Sequence, residues 1–300
     1  MTINFDGRVA LITGAGKGLG RAYALLLAER GCKLVVNNRK HAGDGAQGSA
    51  DRLVDEIAAK GGHAVANYDS VEDAGSGARM VQQSLDAFGR LDILINNAGV
   101  DQFAAFHKLA LDDFRRIFEI NFFGSVYVTH AAIPVMRKAG YGRIVFSSSS
   151  AGLFGLHGLS AYSASKAALL GFMQAINQEG ASHNILANAI VPYAATQMTE
   201  KHLTPELIRL MAPEFVAPMV AYLVSQQCTT GGDAICAGFG RFCRAYNVQN
   251  DGIGVATLDR LTPETLAAEY AAIRDMSNAA NYRMATDAFQ AMASQARLKP

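Results

Sequence analysis

The stretch Val9-Ala10-Leu11-Ile12-Thr13-Gly14-Ala15-Gly16-Lys17-Gly18-Leu19-Gly20 decides the fold of this chain. Four consecutive apolar residues suit a strand covered on both faces, and the glycines after them turn it into a helix expected over residues 21–29. Such a turn lets backbone amides and a helix N-terminus approach a pyrophosphate, where the helix dipole favours negative charge. Glycines also make tight turns with no ligand, so the position directly after the first strand carries the binding signal. Gly14, Lys17, Gly18, Leu19 and Gly20 are therefore candidate dinucleotide contacts.

Outward from this turn the same alternation recurs. Short β-branched and apolar runs at 33–37, 64–68, 91–95, 143–146 and 186–190 predict further strands, the stretch 229–236 reads as a last one, and helical stretches lie between them. That order predicts an α/β fold with a doubly wound, Rossmann-like parallel sheet. One catalytic domain is expected over 1–245, its sheet completed near residue 240, with a mostly helical C-terminal extension over 246–300 packed on it. Residues 41–49, rich in glycine and polar side chains, are expected to form a loop.

Composition narrows the function classes. Half of the 300 residues are apolar, and the formal net charge of +1 leaves no footprint for nucleic acid or an anionic membrane. The four cysteines form no CxxC pair and no histidine cluster has ligand spacing, so neither a metal nor a disulfide framework is expected. Residues 1–6 lack the basic and apolar regions of a signal peptide, and no run is long enough to span a bilayer. Leu298-Lys299-Pro300 is not a Ser-Lys-Leu-type address, and cytoplasmic residence is expected.

At the end of the second strand, where an acidic residue would bind the ribose hydroxyls of NAD, the chain has Asn38, followed by Arg39 and Lys40. No carboxylate is there to repel a 2′-phosphate, and Arg39 offers a planar fork of donors to one. Lys17 can reach the same phosphate, which favours NADP(H) over NAD(H). The alternative is that these cations are solvated loop residues. Asp69, after the third strand, either reaches an adenine amino group or caps a helix, and Ser70 could serve as that cap.

Tyr162 and Lys166 stand four apart on a predicted helix and share a face. A nearby ammonium is expected to stabilise the phenolate and draw the tyrosine toward the working pH range. On spacing alone such a pair is commonly surface decoration. Two upstream features support chemistry: Ser147-Ser148-Ser149-Ser150 at the carboxyl end of a strand, and Asn96-Asn97-Ala98-Gly99 at the end of another, with Asn121 beyond it.

Taken together, these motifs resemble the short-chain dehydrogenase/reductase (SDR) family over about residues 6–245: a Thr-Gly-x-x-x-Gly-x-Gly loop, Asn-Asn-Ala-Gly, Ser and Tyr-x-x-x-Lys in order. The resemblance implies NAD(P)-dependent interconversion of an alcohol and a ketone. Ser149, rather than its neighbours, would orient the substrate. Tyr162 would be the general acid/base, Lys166 would lower its pKa and bind the nicotinamide ribose, and Asn121 would anchor a relay water. Asn97, Ala98 and Gly99 would line the cofactor, as would Pro192, Ala194, Ala195 and Thr196. The family's Pro-Gly after strand six is Pro192-Tyr193 here, so Tyr193 either reshapes the pocket or packs as an ordinary aromatic.

The stretches 20–25, 64–71, 85–90 and 213–218, and the tail after Leu261, resemble one subgroup more closely. It is the (3R)-hydroxyacyl-CoA and 17β-hydroxysteroid dehydrogenase part of peroxisomal multifunctional enzyme type 2. That likeness implies an acyl-CoA or steroid-like substrate and NAD. Asn38 replaces the subgroup's Asp, and Val100-Asp101-Gln102 departs from its Leu-Arg-Asp. Asp101, Phe154, His157 and Tyr193 are candidate pocket residues; His157 has no carboxylate partner in sequence and reads as structural or solvent-facing rather than catalytic. The leading expectation is a hydrophobic alcohol or ketone handled by a homodimer or homotetramer. A non-catalytic dinucleotide sensor on the same fold is the rival from another class.

Overall fold

The computed structural model describes residues 2–40, 47–195 and 203–295. Two compact units follow one another, Met1–Arg244 and Ala245–Pro300. In the first, β1 (Val9–Ile12), α1 (Gly18–Glu29), β2 (Lys33–Asn37), α2 (Ser49–Ala59), β3 (Ala64–Asn67), α3 (Ser76–Phe88) and β4 (Ile93–Asn96) alternate strictly. Beyond them come α4 (Leu111–Phe118), α5 (Gly124–Ala139), β5 (Gly142–Ser147), α6 (Ser150–Phe154), α7 (Ser160–Gly180) and β6 (Ile185–Pro192). After these come α8 (Pro205–Leu210), α9 (Ala217–Leu223), β7 (Ala234–Gly238) and β8 (Arg241–Ala245), all but the last residue of β8 lying in the first unit.

The sheet has the order β3-β2-β1-β4-β5-β6-β7-β8. Pairings from β3 through β7 are parallel, with Leu11 opposite Val35 on one side and Leu94 on the other. All of β1, β4 and β5 is buried, which explains why their central residues (9–12, 93–95 and 144–146) are apolar in succession rather than alternating. The order switches between β1 and β4, and this is where an open α/β sheet leaves a crevice at its carboxyl edge.

Three local expectations change. Residues 229–233 are not strand: the Asn188 amide donates to the Thr230 carbonyl at 3.1 Å and accepts from the Asp233 N–H at 3.0 Å, holding that segment as a loop. Strand β7 begins only at Ala234, and the sheet does not end there. Phe239 and Gly240 both take positive φ (55° and 68°), the geometry of a two-residue type I′ turn, which folds β8 back antiparallel to β7. Ser49, placed in a loop by composition, is the first residue of α2.

Between α4 and α5 the helix is interrupted by one π turn at Glu119–Phe123, which contains the buried Asn121. Single π turns recur where a side chain must be re-aimed for function. The second unit carries short helices at Pro263–Ala268, Tyr270–Ile273 and Ala285–Ser294, none with a buried residue. Among its local ties are a two-bond bridge between Gln249 and Ala280, and the Asn250 amide donating to the Ile273 and Asp275 carbonyls.

Candidate active site

The glycine loop is built by contact with the end of β4. The Thr13 hydroxyl accepts the N–H groups of Asn97 (3.0 Å) and Ala98 (3.1 Å). The Asn97 amide donates back to the carbonyls of Thr13 and Gly14, both at 3.1 Å. Gly14 has φ +62°, and a Cβ on it would stand 2.9 Å from Ala98 Cα. A Cβ on Gly20 would meet the Gly14 carbonyl oxygen at 2.4 Å, so α1 sits closer to the loop than any side chain permits. No side chain caps α1, whose N-terminus therefore offers its first amides outward. A cradle only glycines allow, with uncapped amides above it, fits a pyrophosphate.

One cleft of about 510 Å³ runs from this loop to the catalytic candidates. Its cofactor end is lined by Gly14, Lys17, Gly18, Leu19, Asn38, Arg39, Asp69 and Ser70, and its middle by Asn97, Ala98 and Gly99. The Asn38 amide donates to the Ser49 hydroxyl at 2.7 Å. Arg39 lies 3.5 Å from Glu72, with both side chains more than a third exposed, a pairing that solvent weakens. Asp69 is no helix cap, because α3 begins at Ser76 after Gly75. Its carboxylate instead accepts from Arg79 (2.7 Å) and Asn67 (2.9 Å). Ser70 donates to Glu72 at 3.1 Å and is no cap either.

At the other end stand Ser149, Tyr162 and Lys166. Ser149 caps α6: its hydroxyl oxygen accepts the Ala151 N–H at 3.1 Å, and the hydroxyl also acts on the Tyr162 phenol, favouring its charged form. Lys166 is buried and donates to the Ser147 carbonyl at 2.7 Å, with its Nζ 5.7 Å from the centre of the Tyr162 ring. Ser148 is taken up structurally, donating to the Lys166 carbonyl at 2.8 Å. The Asn121 amide clamps Val100 by accepting its N–H (2.8 Å) and donating to its carbonyl (2.9 Å), and donates also to Ser165 at 3.0 Å.

The expected lowering of the Tyr162 pKa is not what the structure gives. Burial raises it above the ordinary phenol value, the Ser149 hydroxyl opposes that rise, and the Asp101 carboxylate adds to it. Burial also pushes Lys166 down to about 8. Withdrawing the charged form from water is the leading cause of both shifts.

The wall beyond Tyr162 is formed by Val100, Asp101, Leu156, Leu159, Tyr193 and Met211. Burial raises the pKa of Asp101 as well. Phe154 is 78% exposed and His157 is exposed, and neither lines the cleft; Gly155, with φ +72°, turns the chain after α6 and brings in Leu156 instead. Pro192 and Ala194 line the cleft, whereas Ala195 is buried beside it, its N–H donating to the Met211 carbonyl at 2.7 Å. Gly20 lies beneath the loop rather than on the cleft wall, and Thr196 lies outside the described residues.

Sequence reasoning missed Thr13, Ser49, Ser165 and Met211. Thr13 was within reach, since it opens the glycine motif; the others touch the site only through tertiary contacts. Among the described residues no His, Cys, Asp or Glu cluster could hold a metal, and no helix is long and apolar enough to cross a membrane.

Comparison with known proteins agrees with this architecture. The short chain dehydrogenase family matches residues 8–206. Peroxisomal multifunctional enzyme type 2 of Drosophila melanogaster is 42% identical over 282 residues, covering 92% of this chain and 47% of that protein. Its full-length structure superposes with a TM-score of 0.83 at 35% identity, over 98% of this chain and 51% of that one, so the present chain spans about half the length of this relative. The crystal structure of a short chain dehydrogenase from Mycobacterium avium gives 0.81 at 34% identity, over 92% and 97% of the two chains. A 3-oxoacyl-acyl-carrier-protein reductase of Synechocystis is 37% identical over 226 residues, 73% of this chain and 89% of its own. With its glycine cradle, Ser149, Tyr162 and Lys166 on one cleft, the chain belongs to the short-chain dehydrogenase family, nicotinamide-dependent oxidoreductases acting on CH–OH groups.

Proposed function

We propose that this protein interconverts a hydrophobic secondary alcohol and its ketone with NADP(H), Tyr162 moving the proton. The observation carrying this is the single cleft that joins the glycine cradle to Ser149, Tyr162 and Lys166. A bound nicotinamide dinucleotide supplies or accepts the hydride. Ser149, its oxygen fixed by the Ala151 N–H, holds the substrate oxygen beside the phenol. Tyr162 gives its proton to that oxygen during reduction and takes one during oxidation. Lys166, anchored on the Ser147 carbonyl, sets a positive charge beside the ring and beside Gly99, where a ribose would lie.

The choice of NADP(H) over NAD(H) rests on Asn38, Arg39 and Lys17. The Asn38 side chain brings no negative charge, and both cations line the same end of the cleft. Arg39→Glu is expected to weaken NADPH binding at least tenfold, since a charge-assisted hydrogen bond contributes about 1.5–3 kcal/mol. Titration of both dinucleotides measures this; unchanged NADPH affinity with no gain for NADH would return the preference to open competition.

A second substrate reading, a 3-oxoacyl thioester or the 3-hydroxyacyl thioester its reduction gives, is favoured by the likeness to the 3-oxoacyl-acyl-carrier-protein reductase. Against a coenzyme A ester stands Asp101, an acid on the substrate wall where the similar subgroup has an Arg. Turnover of acetoacetyl-CoA against a 17-ketosteroid and simple hydrophobic ketones at matched concentration separates the readings. Asp101 also faces Tyr162 electrostatically, raising its pKa. Asp101→Asn should therefore move the phenolate-dependent limb of alcohol oxidation to lower pH, and the falling limb of ketone reduction with it. A profile that stays in place would remove Asp101 from the control of Tyr162.

The reading also places the protein in the cytoplasm as a homodimer or homotetramer. Cell fractionation and light scattering test these, and sedimentation with peroxisomes or a monomeric mass are the opposing results.

A further inference from the structure

Outside the cleft, the edge hairpin brings together two cysteines that the chemistry above does not use. The turn Phe239–Gly240 has positive φ at both residues, which pairs Gly238 with Arg241, Ala237 with Phe242 and Cys236 with Cys243. Directly opposed residues of an antiparallel pair stand about 4.5–5.5 Å apart at Cα and point to the same face. That spacing lies inside the range of about 4.4–6.8 Å that a disulfide spans. The Cys243 thiol acts on the Cys236 thiol electrostatically, and neither is oxidised in the structure.

We propose that Cys236 and Cys243 form a peroxide-oxidisable dithiol that closes to a cross-strand disulfide on the outer hairpin of the sheet. The two sulfurs differ in the way such a pair requires. Cys243 is exposed on the edge strand, whereas Cys236 is buried and burial pushes its thiol up to about 11. Peroxide meets Cys243 first: its thiolate attacks one peroxide oxygen, forming the sulfenic acid and releasing water after protonation. The Cys236 sulfur, deprotonated as it attacks, then bonds the sulfenic sulfur and expels hydroxide, which leaves as water. Two thiols and one hydrogen peroxide give one disulfide and two waters, so sulfur is oxidised by two electrons and peroxide reduced by two.

The pair adjoins the substrate wall. Ala237 accepts the Tyr193 N–H at 2.8 Å, a Cβ on Gly238 would meet the Tyr193 carbonyl at 2.4 Å, and the Phe239 ring lies 6.4 Å from that of Tyr193. The remaining cysteines, Cys32 and Cys228, are both buried.

Arg241 lies between the two cysteines, so trypsin separates them and only a disulfide keeps both fragments in one species. The whole protein is treated with hydrogen peroxide, alkylated, digested without reductant and examined by mass spectrometry. The expected result is Phe242-Cys243-Arg244 joined to the fragment 210–241, the bond placed at Cys236 by fragmentation, lost on dithiothreitol treatment and absent from both Cys243→Ser and Cys236→Ser; a link to Cys228, which the same fragment carries, would overturn the proposal. Oxidation of Cys243 to the sulfinic or sulfonic acid while Cys236 remains alkylatable would overturn the proposal. So would a Cys243–Cys243 link between two copies, seen as a reducible dimer. Because the readout is covalent, it stands or fails independently of which alcohol the enzyme oxidises.

Discussion

Tyr162→Phe is expected to lower kcat by about 10²–10⁴-fold, the contribution of a positioned general acid, with cofactor affinity nearly unchanged. The substitution removes only the phenol oxygen, so the ring still packs in α7 and the glycine cradle is untouched. The oxygen lost is the one that the Ser149 hydroxyl influences and that would face the reacting centre. Steady-state kinetics with parallel NADPH titration provide the check. Activity that persists at the parent level would take Tyr162 out of the mechanism. A parent protein that binds dinucleotide but turns over no alcohol or ketone would favour a sensor on the same fold.

Lys166→Met is the second large effect, and it acts on both binding and pH dependence. Methionine fills similar space but leaves the buried Ser147 carbonyl without the donor it has at 2.7 Å, at a cost of about 1–3 kcal/mol. It also removes the charge beside Tyr162 and Gly99, so kcat should fall by about 10²-fold or more and NADPH binding should weaken together with it. The stability of the folded chain then gives an independent signature. Burial lowers the Lys166 pKa from 10.5 to about 8. Between those values the unfolded chain holds more protons at this position than the folded one, so this group makes stability rise with pH across that window. Below pH 8 the folded protein carries the ammonium in an unfavourable setting. The Met variant should lose this upward slope, which denaturant titrations at pH 8 and pH 10 measure. An unchanged slope would mean that Lys166 is not the group responsible.

The fold was legible because its strands are covered on both faces. Val9 to Ile12 and Arg143 to Phe146 carry too few polar positions to lie on a surface, and such runs alternating with helices admit few architectures. Tyr162 and Lys166 were legible through their four-residue spacing and their company of Ser149 and Asn121. Strand β8 was not, because what makes it a strand is the positive-φ turn at Phe239–Gly240 and the neighbour it creates. The pocket assignments of Phe154 and His157 missed for a related reason: proximity in sequence to Ser149 says nothing about the direction taken after Gly155.

The sequence by itself determined the glycine turn after β1, the parallel order of elements and the helical juxtaposition of Tyr162 and Lys166, the pair proposed to handle the proton. These follow from local chemistry: chain reversal that tolerates no Cβ, apolar runs that must be buried, and two side chains one helical turn apart. Only the tertiary structure decided how the loop is held, through Thr13 and Asn97 across the sheet. It also decided what Asn121 touches, and the sign of the Tyr162 shift. Those depend on groups far apart in sequence and on the exclusion of water, and neither burial nor long-range contact is written in residue spacing.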